Sequence, residues 1–458
     1  MASEALAVLS SALLLLLWAW TAYHLVVLAL GWPHSKASLR RTFDLGILRN
    51  PVDLPALTVI VAAKDEENVI GVILGQIAAL QYPGDRLQVI VAEDGSRDRT
   101  RAICEAFAHA HPGVLFLHED VSEGKAAALN RAIRHATGEV LLFLDADTRF
   151  EGDLLLRAAK FFHDHPEVDV AQAVIETYNG RPNLVAKLDK YETIAWYRGI
   201  LAGKDRLGLF TPLCGTGMFI KRRALEAVGP WSVASLAEDI DMAVRLSAHG
   251  ARIRMLPARV WRQPPYSVRD FIDQRKRWWG GALQAFPRAL GQWRNPRMGR
   301  GARVDMLLQL VSPLVLVLGT AYFGAIALLN PLPDAASSLT SATVTGILTS
   351  QLLLLGVVVA HSITRRSARD LDLIPGIYLY WAMQLYAVLA VSLAIVLRKP
   401  PRWRVTAKRQ VSVEPSDRTE AGAEAFLPPA SMMPLPNGAA PRILPPLSGD
   451  HPAEDPRL

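Results

Sequence analysis

Residues 140–147 read Val140-Leu141-Leu142-Phe143-Leu144-Asp145-Ala146-Asp147. Five consecutive apolar residues leave no polar face, so the segment predicts a strand buried on both sides, as in a parallel sheet covered by helices. The change to two carboxylates then sets acidic groups just past the strand's carboxyl end. In open α/β sheets that end is where ligands bind.

The same rhythm extends outward. Residues 57–62 form a short β-rich apolar run, after which Ile70, Ile73, Leu74 and Ile77 keep helical spacing. Residues 88–92 predict a second strand, ending in Glu93-Asp94-Gly95-Ser96. A helical stretch leads to a strand candidate at 114–117, and a helix candidate at 125–135 precedes the central strand. This alternation predicts an α/β domain with a mostly parallel, Rossmann-like sheet and helices on both faces.

The flanks are different. Of the 458 residues, 51% are hydrophobic and 20% charged, too apolar for an ordinary soluble enzyme. The excess gathers in runs at 9–32, 306–329, 345–360 and 373–397. The first has an acidic start at Glu4 and carries Trp18, Trp20 and Tyr23, which fits a retained membrane helix better than a cleaved signal peptide. Lys36, Arg40 and Arg41 place its far end in the cytoplasm, and Arg365, Arg366 and Arg369 mark a return there. A single crossing by the last run would put Arg398, Lys399, Arg402 and Arg404 outside, so a re-entrant segment bent near Pro375-Gly376 is the alternative.

The expected organisation is an N-terminal end at 1–8, a transmembrane helix at 9–32, a linker at 33–53 and a cytosolic α/β domain at 54–265. Amphipathic interface helices follow at 266–300, then transmembrane helices at 304–330 and 343–361. A spanning or re-entrant segment at 373–397 precedes a basic, then Pro-rich and disordered tail at 398–458. The formal charge of +7 sits beside the apolar runs, which points to a lipid bilayer rather than nucleic acid. Two cysteines, Cys104 and Cys214, fit a reducing, cytosol-facing compartment and neither a disulfide framework nor a zinc site.

Several strings carry chemistry. Asp145 and Asp147 suit a hard divalent cation, Mg²⁺ or Mn²⁺, when diphosphate oxygens complete its shell; a strand-ending turn uses the same residues. Asp94 follows a strand and suits a base or ribose, although Ser96 and Asp98 also cap the next helix. Lys125 follows Gly124 at a helix start, where an ammonium and the helix dipole both favour a diphosphate. Glu238-Asp239 opens another helix, either as dipole compensation or as a general base for an acceptor hydroxyl. Gln274-Arg275-Lys276-Arg277-Trp278-Trp279 reads as an interfacial helix, or as an arginine for a diphosphate beside a tryptophan that stacks on a sugar.

With these strings in this order, the chain resembles glycosyltransferase family 2 in its membrane-integral, processive branch, that of bacterial cellulose, hyaluronan and poly-N-acetylglucosamine synthases. The resemblance covers residues 54–283 and includes Lys64-Asp65-Glu66-Glu67, Glu93 to Thr100, Gly124 to Asn130, Phe143 to Thr148, Leu213-Cys214-Gly215-Thr216-Gly217, Glu238-Asp239 and Gln274 to Trp278. Trp403-Arg404-Val405-Thr406 also resembles the family's carboxyl-terminal pattern.

The resemblance implies a GT-A-type fold inserted between transmembrane helices. It implies a UDP-sugar donor, a Mg²⁺ or Mn²⁺ cofactor, and a polysaccharide or glycolipid acceptor, with an accessory export subunit as a further partner. It assigns Glu66 and Asp94 to the nucleoside, Lys125 to the diphosphate, and Asp145 and Asp147 to the nucleotide and metal. Asp239 becomes the catalytic base. Gln274, Arg277 and Trp278 hold the diphosphate and the acceptor sugar, and Cys214, Gly215, Thr216 and Glu238 line the acceptor end. The implied place is the plasma membrane, multi-pass, with the catalytic domain cytoplasmic. The rival readings are a single-transfer glycolipid synthase and a non-catalytic subunit of an export complex.

Overall fold

In the computed structural model, residues 2–40, 54–178, 183–329, 373–398 and 408 are described. Eight strands form one sheet: β1 (Leu57–Ala63), β2 (Leu87–Glu93), β3 (Val114–Leu117), β4 (Val140–Asp145), β5 (Arg149–Phe150), β6 (Val170–Thr177), β7 (Met218–Lys221) and β8 (Ile253–Arg262). Their order is β3-β2-β1-β4-β7-β6-β8-β5.

The parallel half, β3-β2-β1-β4, is the alternation read from the sequence. The expectation of a mostly parallel sheet fails beyond it. β7 pairs antiparallel with both β4 and β6, and β5 pairs antiparallel with β8, so the sheet is mixed. β7 has four residues, too few to announce itself by pattern, and it enters between β4 and β6 from the opposite direction.

The strands are apolar on both faces because helices cover both. Val59, Val61, Val89, Leu142 and Leu144 pack into one core layer, against α2 (Ile70–Ala78) and α5 (Leu154–Asp164). Ile60, Ile90, Leu141 and Phe143 point the other way, to α4 (Lys125–Ile133) and α9 (Glu238–His249), as the two-residue period of a strand requires. Along the β1–β4 pair, register sets Ala62 opposite Asp145, and along β1–β2 it sets Ala63 opposite Glu93. The acidic ends of β2 and β4 therefore flank the end of β1, where the strand order reverses.

The long helices are α1 (Ala2–Arg40), α10 (Val268–Leu290), α11 (Arg300–Leu329) and α12 (Leu373–Val396). α1 runs on through Pro33 to Arg40, into the stretch 33–53 expected to be a linker. α12 is one unbroken helix with Pro375 in its first turn, where a missing N–H is harmless, so it shows no bend near Pro375-Gly376 of the kind the re-entrant alternative invoked. The 343–361 run and the tail beyond 398, apart from Lys408, lie outside the described residues. Among the described residues one stretch, Leu379–Val396, is long and apolar enough to cross a membrane, with a mean hydropathy of 1.9. Leu15, Leu16 and Trp18 on α1 and Leu379, Leu389 and Leu393 on α12 are exposed apolar side chains.

Candidate active site

Three strand-end loops meet over the sheet. After β1, Glu66 donates its backbone N–H to Thr100 Oγ1 at 2.7 Å, and Asp65, at φ 52°, accepts from Arg97 N at 2.8 Å. These bonds zip the first loop to the second. After β2, Asp94 is 2% exposed. Its Oδ2 accepts from Ser122 Oγ at 2.6 Å and Gly124 N at 2.9 Å, and its Oδ1 from Glu123 N at 3.0 Å. Asp94 thus holds the loop that launches α4, and through it positions Lys125.

Lys125 is the hub. Its Nζ lies 2.6 Å from Asp145 Oδ1, 3.2 Å from Glu238 Oε1 and 3.2 Å from the Gly215 carbonyl. Burial works against its charge, but Asp145 and Glu238 raise its pKa well above the lysine range. A cation therefore stands permanently between the β4 end and the α9 start.

Gly215 sits where the charges converge. Its φ is +80°, and a Cβ there would come 3.3 Å from Asp239 Oδ2, 3.6 Å from Lys125 Nζ and 3.9 Å from Asp145 Oδ2. Glycine is favoured here by the backbone conformation, and a side chain would press on the Asp239 carboxylate. Its neighbour Thr216 accepts from Asp145 N at 3.1 Å, and Cys214 donates its N–H to Gln172 Oε1 at 3.1 Å. Burial pushes the Cys214 thiol up to about 12, so it lines the wall as a neutral group.

Asp239 accepts from Ile240 N through Oδ1 at 2.8 Å, leaving Oδ2 toward Gly215. Burial first, and then Glu238, push its carboxyl up to about 7. Glu238 goes the other way: burial raises it, but Lys125 prevails and its pKa is lowered. Of the two adjacent acids, Glu238 is fixed as a carboxylate and Asp239 exchanges protons near neutrality.

The α10 string resolves by helical geometry. Gln274, Arg277 and Trp278 stand at i, i+3 and i+4, one face of a helix, and all three line the cavity. Ser267 caps this helix by accepting from Asp270 N at 3.0 Å. Arg275 turns to a buried ion network missed by sequence reasoning. Its Nη2 lies 3.0 Å from Asp189 Oδ1 and 2.5 Å from Glu192 Oε2, while Arg262 Nη2 lies 3.1 Å from Asp189 Oδ2. Both guanidinium groups stack on Trp278, at 4.2 Å for Arg275 and 5.6 Å for Arg262. The string's first arginine thus braces the tryptophan from within this network, while Arg277 stands on the cavity face.

Asp147 accepts from Gln263 N at 3.2 Å and pairs with Lys408 Nζ at 2.5 Å. Lys408 was also missed, although it follows Val405-Thr406 by two residues. Glu66 faces the same corner. Burial, and then Asp147, push it up to about 9, and its Oε2 has no hydrogen-bond partner among the described residues.

One cavity of about 490 Å³ continues from Glu66, Asp94 and Asp147 past Lys125, Asp239 and Trp278 to the helices α1, α11 and α12. Every site residue expected from the sequence lies on its wall.

Residues 55–281 match the family model described as glycosyltransferase like family 2. The chain is 27% identical over 285 residues to a probable glycosyltransferase, YdaM, of Bacillus subtilis, covering 61% of this chain and 67% of that protein. It is 30% identical over 272 residues to a beta-monoglucosyldiacylglycerol synthase of Synechocystis sp., covering 56% of this chain and 53% of the synthase. It is 26% identical over 233 residues to a poly-beta-1,6-N-acetyl-D-glucosamine synthase of Staphylococcus epidermidis, covering 51% and 56%. The match therefore spans little more than half the length of those two synthases. Among solved structures, the mannosyltransferase PcManGT from Pyrobaculum calidifontis, in complex with GDP-Man and Mn²⁺, aligns with a TM-score of 0.59 at 23% identity, over 84% of this chain and 99% of that one. It shares the fold.

The family match and the relatives mark residues 55–281 as a glycosyltransferase domain. The chain carries a glycosyltransferase family 2 domain, on a GT-A-like α/β fold with a mixed sheet.

Proposed function

We propose that the chain is a membrane-bound, inverting transferase that moves a sugar, N-acetylglucosamine or glucose, from a UDP-sugar to a hydroxyl of a growing polysaccharide. The observation behind this reading is the convergence of Asp239, Lys125 and Asp145 on Gly215 inside one cavity. Asp239 Oδ2 takes the proton of the acceptor hydroxyl as its oxygen attacks the anomeric carbon in line. The bond to the diphosphate breaks, and its electron pair leaves with the nucleotide. Lys125 and Arg277 hold positive charge toward the departing diphosphate, and Trp278, braced by Arg275 and Arg262, offers a flat face to the acceptor sugar.

A divalent cation fits one corner of this site. Asp145 and Asp147 both lie close enough to Glu66 to act on its charge, and Glu66 Oε2 is an oxygen without a hydrogen-bond partner among the described residues. Among the described residues no three His, Cys, Asp or Glu side chains form a complete metal cage, so the donor's own phosphate oxygens would have to complete the shell. Asp145 and Asp147 would hold Mg²⁺ or Mn²⁺, whose chemistry there is neutralisation of the leaving diphosphate. Isothermal titration of UDP with and without Mn²⁺ tests this. Binding to wild-type protein should tighten with Mn²⁺, and binding to Asp147→Asn should not.

The exposed apolar side chains of α1 and α12, with Lys36, Arg40 and Arg41 at and just past the end of α1, support a plasma-membrane position with the catalytic domain on the cytoplasmic side. The helix-lined arm of the cavity also supports a second reading, single transfer to a glycolipid. Chain-length analysis of the radiolabelled product separates the two: a ladder of sizes supports polymerisation, and a single product supports the lipid.

A further inference from the structure

The far arm of the cavity carries a polar cluster that the transfer step does not use. Tyr23 on α1 donates through Oη to Asp305 Oδ1 at 2.5 Å. Lys204, on the short helix α7 (Ala202–Leu207), pairs with the same Oδ1 at 3.1 Å and donates to Gln309 Oε1 at 2.5 Å. Asp305 Oδ2 accepts from Phe210 N at 3.1 Å. The Lys204 and Asp305 side chains are 2% and 4% exposed, yet both residues line the cavity.

α1 is built into this wall. Gly31 crosses Gly199 and Gly203 so closely that a Cβ on Gly31 would overlap the Gly199 carbonyl, and one on Gly203 would overlap the Val27 carbonyl. Small residues four apart permit such a crossing. It fixes Tyr23 over Asp305 and makes the N-terminal helix part of the binding cavity as well as an anchor.

The chemistry of the cluster selects its occupant. Lys204 and Asp305 compensate each other, but an acyl chain laid against the cluster would offer nothing to its remaining donors. A carbohydrate has hydroxyls that both donate and accept. Two of the three Lys204 protons are engaged by Asp305 and Gln309, and the Gln309 amide nitrogen has two more. Trp20, Trp196 and Trp381 line the same cavity and carry aromatic rings of the kind sugar rings stack on.

We propose that Tyr23, Lys204, Asp305 and Gln309 form a second acceptor subsite, which binds the hydroxyls of the sugar unit next to the one being extended. The proposal rests on the glycosyltransferase reading above, and it makes the preferred acceptor a saccharide of two or more units.

The test uses the full chain in lipid nanodiscs with a UDP-sugar panel. Acceptors are glucose and N-acetylglucosamine, each alone and as its β-linked disaccharide. Wild-type protein should show a KM for a disaccharide roughly tenfold below that for the monosaccharide, the effect of one or two added hydrogen bonds. In Gln309→Leu, and separately in the gentler Tyr23→Phe, that ratio should fall toward one. A tenfold ratio that persists in both variants overturns the subsite, as does a wild-type protein that does not distinguish the two lengths. Donor hydrolysis with neither sugar accepted overturns it while leaving the donor site intact. Wild-type protein that releases no nucleotide from any UDP-sugar removes the transferase reading itself, and the subsite with it.

Discussion

The Lys125 ammonium lies 2.6 Å from Asp145 Oδ1, tying the start of α4 to the end of the central strand. The same ammonium lies 3.2 Å from Glu238 Oε1, so one cation compensates acids from two separate motifs. Lys125→Met keeps the length of the side chain and removes its charge. It is predicted to lower kcat/KM roughly a hundredfold, as expected when a buried charge-assisted contact is lost. Steady-state kinetics check this, and a loss below threefold contradicts it.

Asp239 sets the pH dependence. Burial and the neighbouring Glu238 push its carboxyl up to about 7, and a general base acts only when deprotonated. In the free enzyme kcat/KM should therefore fall about tenfold per pH unit below that value and level off above it. A profile flat from pH 5 to 8 contradicts the assignment.

Gly215→Ala should reduce turnover without unfolding the protein. The added methyl meets Asp239 Oδ2 at 3.3 Å and forces an L-residue to φ +80°. The cost of such a conformation is about 1–3 kcal/mol. A Tm lowered by roughly 2–4 °C per kcal/mol of strain, with the fold kept and a kcat loss of roughly tenfold or more, is the expected result, because the added methyl stands against the reacting groups.

Asp189→Ala tests the support of Trp278. Asp189 is fully buried and pairs with both Arg262 and Arg275, so its loss strands two buried guanidinium groups. Breaking a buried pair this way costs about 3–5 kcal/mol. Chemical denaturation should show that loss, and Asp189→Asn, which keeps hydrogen-bond acceptance, should show less.

The legible part of this fold is the part where burial dictates pattern. β1, β2 and β4 are covered on both faces, so their sequences are mainly apolar runs, broken only by Thr58 and Gln88, with acids at or just past the mouth. β8 is harder to read, because Arg254, Arg259 and Arg262 interrupt it and find their partners at Asp205, Glu151, Glu176 and Asp189, far away in sequence. The spacing of Gln274, Arg277 and Trp278 put them on one helical face, but nothing local distinguished Arg275 from Arg277. Only the position of α6 (Leu184–Ile194), with Asp189 and Glu192, shows which arginine is structural. Lys408 meets Asp147 across 261 positions of chain, a pairing that composition and periodicity do not encode.

The most direct test of the central claim compares wild-type protein with Asp239→Asn, in membranes supplied with radiolabelled UDP-sugars. Wild-type membranes should incorporate label from one sugar of the panel. Asp239→Asn should bind UDP with the same affinity and lose at least a hundredfold in incorporation, the contribution of a positioned general base. Near-normal incorporation by Asp239→Asn, or none by wild-type protein from any donor, would contradict the account.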